Sequence, residues 1–134
     1  MIIRTLGSVA LVGLMVSGSL QAHHSLAGVY DMKQQDAEVS GTLTKIQFVN
    51  PHGSLTISVK NQDGTVTNWV FTLGSATRLA QRGVGPTGQN ALHHGDQIKV
   101  RYIPASNGNP LGFLKSVTMP DGRVINISAG NPND

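Results

Sequence analysis

The sequence predicts a mostly β protein built around one small barrel. Residues 37 to 128 contain short β-branched stretches separated by turn signals, a spacing typical of all-β domains. One helical segment follows the third stretch, and the first stretch is long, with apolar residues on both faces near its end. Three strands, a helix and then two or three strands is the order of an OB-like five- to six-stranded Greek-key barrel with one short helix between strands 3 and 4. A plain β-sandwich is the alternative.

Each predicted element has a local cause. The first strand ends at Asn50-Pro51 because proline cannot donate a ladder hydrogen bond, and Gly41 can host its bend. Ser75 can cap the helix and Gly83 can end it. The predicted strands are Glu38 to Val49, Ser54 to Lys60, Thr65 to Leu73, Gln97 to Ile103, Leu111 to Met119 and Arg123 to Ile127, and the predicted helix is Ala76 to Arg82.

The N-terminus predicts export. Residues 1–22 have the form of a signal peptide, in which Arg4 precedes an uncharged run from Leu6 to Leu20 and Ala22 supplies the small residue at the cleavage site. We therefore expect a periplasmic or secreted protein with no transmembrane domain after cleavage. Cleavage after Ala27 is a second possibility, and an uncleaved anchor is a third, although the apolar run is shorter than the roughly 20 residues of a membrane span.

The length of the mature chain allows one small domain. Cleavage after Ala22 removes 22 of the 134 residues and leaves 112. We divide these into an arm at 23–36, the OB-like domain at 37–128 and a disordered tail at 129–134. The absence of cysteine excludes disulfides and thiolate metal sites. The net charge of +3 is small, and its positive residues are scattered, so we expect no nucleic-acid partner.

Several short strings resemble a bacterial family of small exported proteins of unknown function. They are His23-His24-Ser25, Asn50-Pro51-His52, Asn68-Trp69, Gly95-Asp96 and Pro120-Asp121-Gly122-Arg123. Their order and spacing cover nearly all of residues 23 to 127. The resemblance implies export and a small β fold, and it implies no activity. This chain departs from the family pattern at Gly53, where a larger residue is common, and in the extra pair His93-His94.

The histidines carry the sharpest functional hypothesis. Cleavage after Ala22 would make His23 the first residue, whose α-amine and imidazole Nδ1 can chelate one metal ion. A further imidazole would complete a three-nitrogen set of the kind that Cu(II) favours, similar to the histidine brace of copper proteins. We expect His52 to supply it, because Pro51 stiffens the chain there. His24 is the alternative ligand, and we expect His93 and His94 to be exposed turn residues.

Three functions are consistent with these observations. The first is an exported, non-enzymatic binding module that carries copper or a similar transition metal. The second is a metal-free OB module that binds a protein partner or a glycan through the face of strands two and three, and Asn50 and Trp69 are other candidate binding residues. The weakest is a copper-dependent oxidoreductase. Gly83, Gly85 and Gly88 match a dinucleotide fingerprint by letters only, since they follow a helix and not a strand.

Overall fold

The structure is a computed structural model that describes residues 26–128. The predicted signal peptide at 1–22, His23, His24 and the predicted tail at 129–134 lie outside this range. The elements are α1 (Leu26–Val29), β1 (Ala37–Gln47), β2 (Ser54–Lys60), β3 (Val66–Thr72), α2 (Ala76–Gln81), β4 (Gln97–Pro104), β5 (Leu111–Thr118) and β6 (Val124–Asn126).

Five of the strands form a closed barrel. The sheet order is β3-β2-β1-β4-β5-β6, and β3 also pairs with β5. This last pairing is parallel and joins Val70 to Leu111 and Thr72 to Phe113, whereas the neighbouring strands pair in antiparallel fashion. β6 extends the sheet beyond the barrel, and α2 lies between β3 and β4 in the chain. The predicted fold class is therefore confirmed.

The long first strand serves two sides of the barrel, as its pattern predicts. Ala37 to Thr42 pair with β4, and Thr42 to Gln47 pair with β2. The register of the second pairing shifts between Leu43 and Lys45, two residues after Gly41, which we expect can host the bend. Gly41 also allows a close approach of β2, because a Cβ there would lie 2.5 Å from the carbonyl oxygen of Ser58.

The predicted turn and cap residues act locally as expected. Asp63 accepts hydrogen bonds from the N–H and the hydroxyl of Thr65, and Gly64 has a φ of 84° in the hairpin between β2 and β3. The N–H of Arg78 donates to the hydroxyl of Ser75, which caps α2. β1 ends at Gln47, two residues before the predicted end, because the chain leaves the sheet to reach α2.

The barrel interior is closely packed and apolar. Its buried members come from every strand, from α2 and from the loop that follows α2. They are Leu43, Leu55, Ile57, Phe71, Leu73, Leu79, Val84, Leu92, Ile98, Val100, Tyr102, Leu114, Val117, Ile125 and Ile127. Burial of this set is the main source of stability in a chain that has no cysteine.

Candidate metal-binding site

The loop between β1 and β2 is fastened to the start of α2. The N–H of Ala76 donates to the carbonyl of Val49 at 3.2 Å. The side chain of Asn50 accepts a hydrogen bond from the N–H of Thr77 and donates one to the hydroxyl of Thr77, both at 3.4 Å. The Asn50-Pro51 peptide bond is cis. The structure therefore places Asn50, a candidate binding residue, in contact with the first turn of the helix.

Gly53 holds the other end of this loop against β3. Its N–H donates to the carbonyl of Gly74 at 3.1 Å, and its carbonyl accepts from the N–H of Leu73 at 2.9 Å. A Cβ at position 53 would lie 2.5 Å from the carbonyl oxygen of Gln47, so a larger residue does not fit this arrangement. The chain is thus hydrogen-bonded on both sides of His52, to α2 before it and to the residues that follow β3 after it.

His52 lies between these two attachments and is partly buried. Its Nδ1 is enclosed and has no hydrogen-bond partner among the described residues. Enclosing a polar atom without a partner costs about 1–3 kcal/mol, and native structures rarely leave such atoms unpaired. His52 is a candidate ligand because of its place after proline, and one of its ring nitrogens lacks a hydrogen-bond partner within residues 26–128.

The arm that precedes β1 is attached to the outside of the barrel. Tyr30 forms a β-bridge with Ala105, the N–H of Ser106 donates to the carbonyl of Val29 at 2.9 Å, and the N–H of Asp31 donates to the carbonyl of Pro104 at 2.9 Å. These bonds fix residues 29–31 along the end of β4. The sequence shows no β-branched pattern in this segment that would have predicted the attachment.

The ring of Tyr30 completes a second apolar cluster, on the outer face of the barrel. Ile103 follows the core residue Tyr102, and Phe113 precedes the core residue Leu114. Because successive side chains of a strand point to opposite faces, Ile103 and Phe113 face the outside of the barrel. Tyr30 packs against Phe113 with ring centroids 5.9 Å apart. The cluster, which we call the outer cluster, consists of Tyr30, Ile103, Ala105 and Phe113, with Met32 and Leu111 packed against it.

One row of paired residues in the sheet leads from the outer cluster to a position two residues from His52. The hydroxyl of Tyr30 hydrogen-bonds the hydroxyl of Thr72. Thr72 pairs with Phe113 on one side and with Ser54 on the other, and Ser54 is two residues after His52. The hydroxyl of Tyr30 therefore contacts the strand partner of a residue that follows His52 by two positions, whereas the backbone of the arm is attached to the end of β4.

The remaining sequence candidates lie elsewhere. Trp69 packs against the core, with ring centroids 6.1 Å from Phe71 and 5.4 Å from Tyr102, so its ring faces the barrel interior. His93 and His94 are exposed in the turn before β4, as expected. Within residues 26–128 no three histidine or carboxylate side chains converge as a metal site.

A partly buried cluster of opposite charges, which the sequence does not predict, lies where the arm enters β1. The carboxylate of Asp36 is 2.7 Å from Arg101 and 2.9 Å from Lys115. Burial alone would raise the pKa of Asp36, but the hydrogen bonds and charges of Lys115 and Arg101 outweigh it and lower the pKa below its ordinary value. Lys115 lies 79 positions away in the chain, so no local signal could have predicted the contact.

A family model describes most of the chain. The model of a family of unknown function, DUF6152, matches residues 11–115. The chain belongs to this family. The membership agrees with the resemblance in the sequence at the level of a domain of unknown function and brings no activity with it. Neither the curated proteins nor the solved structures contained a match to the chain.

Among the helices of residues 26–128, none has the length and apolar character needed to cross a bilayer.

Proposed function

We propose that this protein is an exported, periplasmic or secreted binding module that holds a Cu(II) ion between its mature N-terminus and His52. The observation that carries the proposal is the enclosed Nδ1 of His52, which has no partner among the described residues. After cleavage behind Ala22, the α-amine and imidazole of His23 supply two nitrogens and His52 a third. Nitrogen ligands in a tetragonal arrangement favour Cu(II) over other divalent ions of its row.

The loop geometry supports a preformed ligand. Asn50 is tied to α2 and Gly53 to β3, so the backbone at position 52 is held from both sides. A metal ligand on a rigid element loses little conformational freedom when the ion binds. The hydroxyl of Tyr30, a residue of the arm, contacts Thr72, whose strand partner Ser54 follows His52 by two positions. The proposal is for binding and includes no catalytic step.

The experiment uses mature protein recovered after export, with the first residue identified by mass spectrometry. Calorimetry with Cu(II) is expected to show one site per chain. The His52→Ala variant is expected to bind more than about tenfold more weakly, since loss of even an outer partner of a ligand lowers metal affinity by about 10–100-fold. His93→Ala, which removes an exposed imidazole, is the matched control and should bind as the wild type does.

Three results would count against the copper site. Tight binding that persists in His52→Ala removes His52 from it. Equal weakening by His93→Ala indicates adventitious binding by surface imidazoles. A chain with four residues added before His23 should lose the chelate, because the α-amine then belongs to a residue remote from both His23 and His24; unchanged affinity in that chain removes the N-terminus from the site.

The second candidate is a metal-free module that binds a glycan or a protein partner, and the outer face of β2 and β3 favours it. Thr56, Ser58 and Asn68 alternate with core residues there, and the hydroxyl of Ser58 donates to the amide oxygen of Asn68 at 2.8 Å. Hydroxyl and amide groups on the outer face of a sheet can form hydrogen bonds with the hydroxyls of sugars. Chemical-shift changes at Thr56 and Asn68 on titration with an oligosaccharide, in protein that binds no copper, would support it.

A further inference from the structure

The loop that joins β4 to β5 is hydrogen-bonded to two other parts of the fold. The N–H of Ser106 donates to the carbonyl of Val29, in the arm, at 2.9 Å. The carbonyl of Pro110 accepts a hydrogen bond from the N–H of Val70, in β3, at 3.0 Å. The shape of this loop therefore contributes both to the attachment of the arm and to the closure of the barrel.

Asn107 and Gly108 form the exposed tip of the loop, and they are the only Asn-Gly pair in the sequence. Gly108 has a φ of 75°, and because it has no side chain its backbone nitrogen is unhindered. In such a pair, this nitrogen can attack the side-chain amide carbon of the asparagine. The product is a five-membered succinimide ring, which water opens to aspartate or isoaspartate.

The hydrogen bonds of the tip favour this attack. The N–H of Asn109 donates to Oδ1 of Asn107 at 3.0 Å. The same oxygen gains negative charge when the amide carbon is attacked, and a donor that already points at it lowers the barrier. The N–H of Gly108 donates to the carbonyl of Ala105 at 3.3 Å, which is beyond the usual range of about 2.7–3.2 Å. Little free energy is therefore lost when this hydrogen bond breaks.

We propose that Asn107 is a self-modification site, at which the protein loses ammonia and Asn107 becomes aspartate or isoaspartate. A hydroxide ion from solvent takes the proton of the Gly108 nitrogen, which then bonds to Cγ of Asn107. The bond from Cγ to the side-chain nitrogen breaks, and that nitrogen leaves as ammonia with a proton from water. Water then opens the ring, and no group is oxidised or reduced. The inference does not depend on the proposed copper site.

The modification changes the loop between its two attachments. Either product carries a negative charge that Asn107 lacks. Isoaspartate also carries the main chain through the side-chain carbon, which adds one carbon to the backbone between Ser106 and Pro110. Because Ser106 holds the arm, we expect modification to weaken its hydrogen bond to Val29 and to loosen the arm from the outer cluster.

Other asparagines of the chain are internal controls. Asn109 is exposed in the same loop, but the next residue is Pro110, which has no N–H and cannot form the ring. Asn50 is exposed and likewise precedes a proline. Asn68 is exposed in β3, but it is held in a strand paired with β2 and is followed by the bulky Trp69.

Two aspartates also precede glycine in turns, and we expect them to remain unchanged. Hydrogen bonds from the hydroxyl and the N–H of Thr65 lower the pKa of Asp63 below its ordinary value. Hydrogen bonds from the N–H and the side chain of Arg123 lower the pKa of Asp121 in the same way. Both side chains are therefore carboxylates at neutral pH, and a carboxylate carbon is a poorer target for a nucleophile than an amide carbon.

The experiment incubates the purified protein at neutral and mildly alkaline pH and follows its peptides by mass spectrometry. An isoaspartate methyltransferase with a labelled methyl donor identifies isoaspartate. Loss of the amide is expected to be more than about tenfold faster at Asn107 than at Asn68 or Asn109, a barrier difference of about 1.4 kcal/mol. The loss should become faster as the pH rises, because base removes the proton, and should be as fast in the folded protein as in guanidinium chloride.

Asn107→Ser is the matched variant, because a serine hydroxyl can also accept the N–H of Asn109 but cannot form the ring. Trypsin cleavage after Lys33, which is exposed in the arm, should become faster as the wild type is modified and stay constant in Asn107→Ser. Cleavage after Lys60, which is exposed at the end of β2, should not change in either protein.

Two results would overturn the proposal. Loss of the amide at Asn107 that is no faster than at Asn68, or that is much slower in the folded protein than in the unfolded chain, would show that the loop is not a modification site. Complete modification with unchanged cleavage after Lys33 would refute its effect on the arm.

Discussion

Replacement of Asp36 by asparagine tests the ion pair that joins the arm to the barrel. The side chain of Asp36 is only 16 % exposed, and it contacts Lys115 and Arg101, which are 26 % and 55 % exposed. The amide of asparagine has nearly the same shape but carries no charge. The substitution therefore leaves the packing in place and removes the partner of two cations.

The expected loss in the free energy of unfolding is about 1.5–2 kcal/mol. A hydrogen bond to a charged group contributes about 1.5–3 kcal/mol, and we take the pair with Lys115 at the low end of that range because it is not fully buried. The exposed Arg101 adds little, since solvent screens surface ion pairs to about 0–1 kcal/mol. Urea unfolding followed by the fluorescence of Trp69, the only tryptophan, measures the difference.

The pH dependence gives a second measure of the same contact. The pKa of Asp36 in the folded protein is lower than its ordinary value of 3.8, so the stabilisation is fully present above that value and is lost as the pH falls through the lower folded pKa. Asp36→Asn should therefore differ from the wild type at neutral pH and approach it in acid.

Glu38→Gln is the matched control for the ion pair. Glu38 follows Asp36 by two positions, in β1, and is paired with Lys99 at 3.3 Å, but both side chains are about half exposed. Its substitution should change the free energy of unfolding by less than about 0.5 kcal/mol. Equal effects of the two substitutions would refute the idea that the ion pairs of Asp36 stabilise the fold. A loss of unfolding free energy in Asp36→Asn that is the same at neutral and acid pH would refute it as well.

Two further predictions concern the barrel itself. Gly112→Ala should lower the free energy of unfolding by about 1–3 kcal/mol, which is the usual effect of overpacking a core, because its Cβ would lie 2.4 Å from the ring of Tyr102. Gly85→Ala is the control, since a Cβ at position 85 has room. Equal melting temperatures of the two variants would contradict the reasoning. Asn50→Ala should lower the free energy of unfolding by about 0.5–1 kcal/mol, because it removes the two hydrogen bonds to Thr77. An unchanged free energy in urea unfolding would show that these bonds do not stabilise the fold.

The sequence by itself determined the elements whose causes are local. The alternation in Ser54 to Lys60 predicts β2, Ser75 predicts the start of α2, and Asp63 with Gly64 predicts the hairpin turn. Each of these depends on backbone preferences and on neighbours a few positions away, so each can be predicted from a short window. The order of these elements was enough to predict the barrel. His52 was likewise selected from its neighbour Pro51.

Only the tertiary structure decided the contacts that join distant segments. The parallel pairing of β3 with β5 closes the barrel, Tyr30 meets Thr72 across 42 positions, and Asp36 meets Lys115 across 79. Such contacts depend on where the whole chain brings two residues together, because packing and electrostatic interactions act through space and not along the sequence. For the same reason, the enclosed Nδ1 of His52 and the attachment of the arm could be found only once the fold was known.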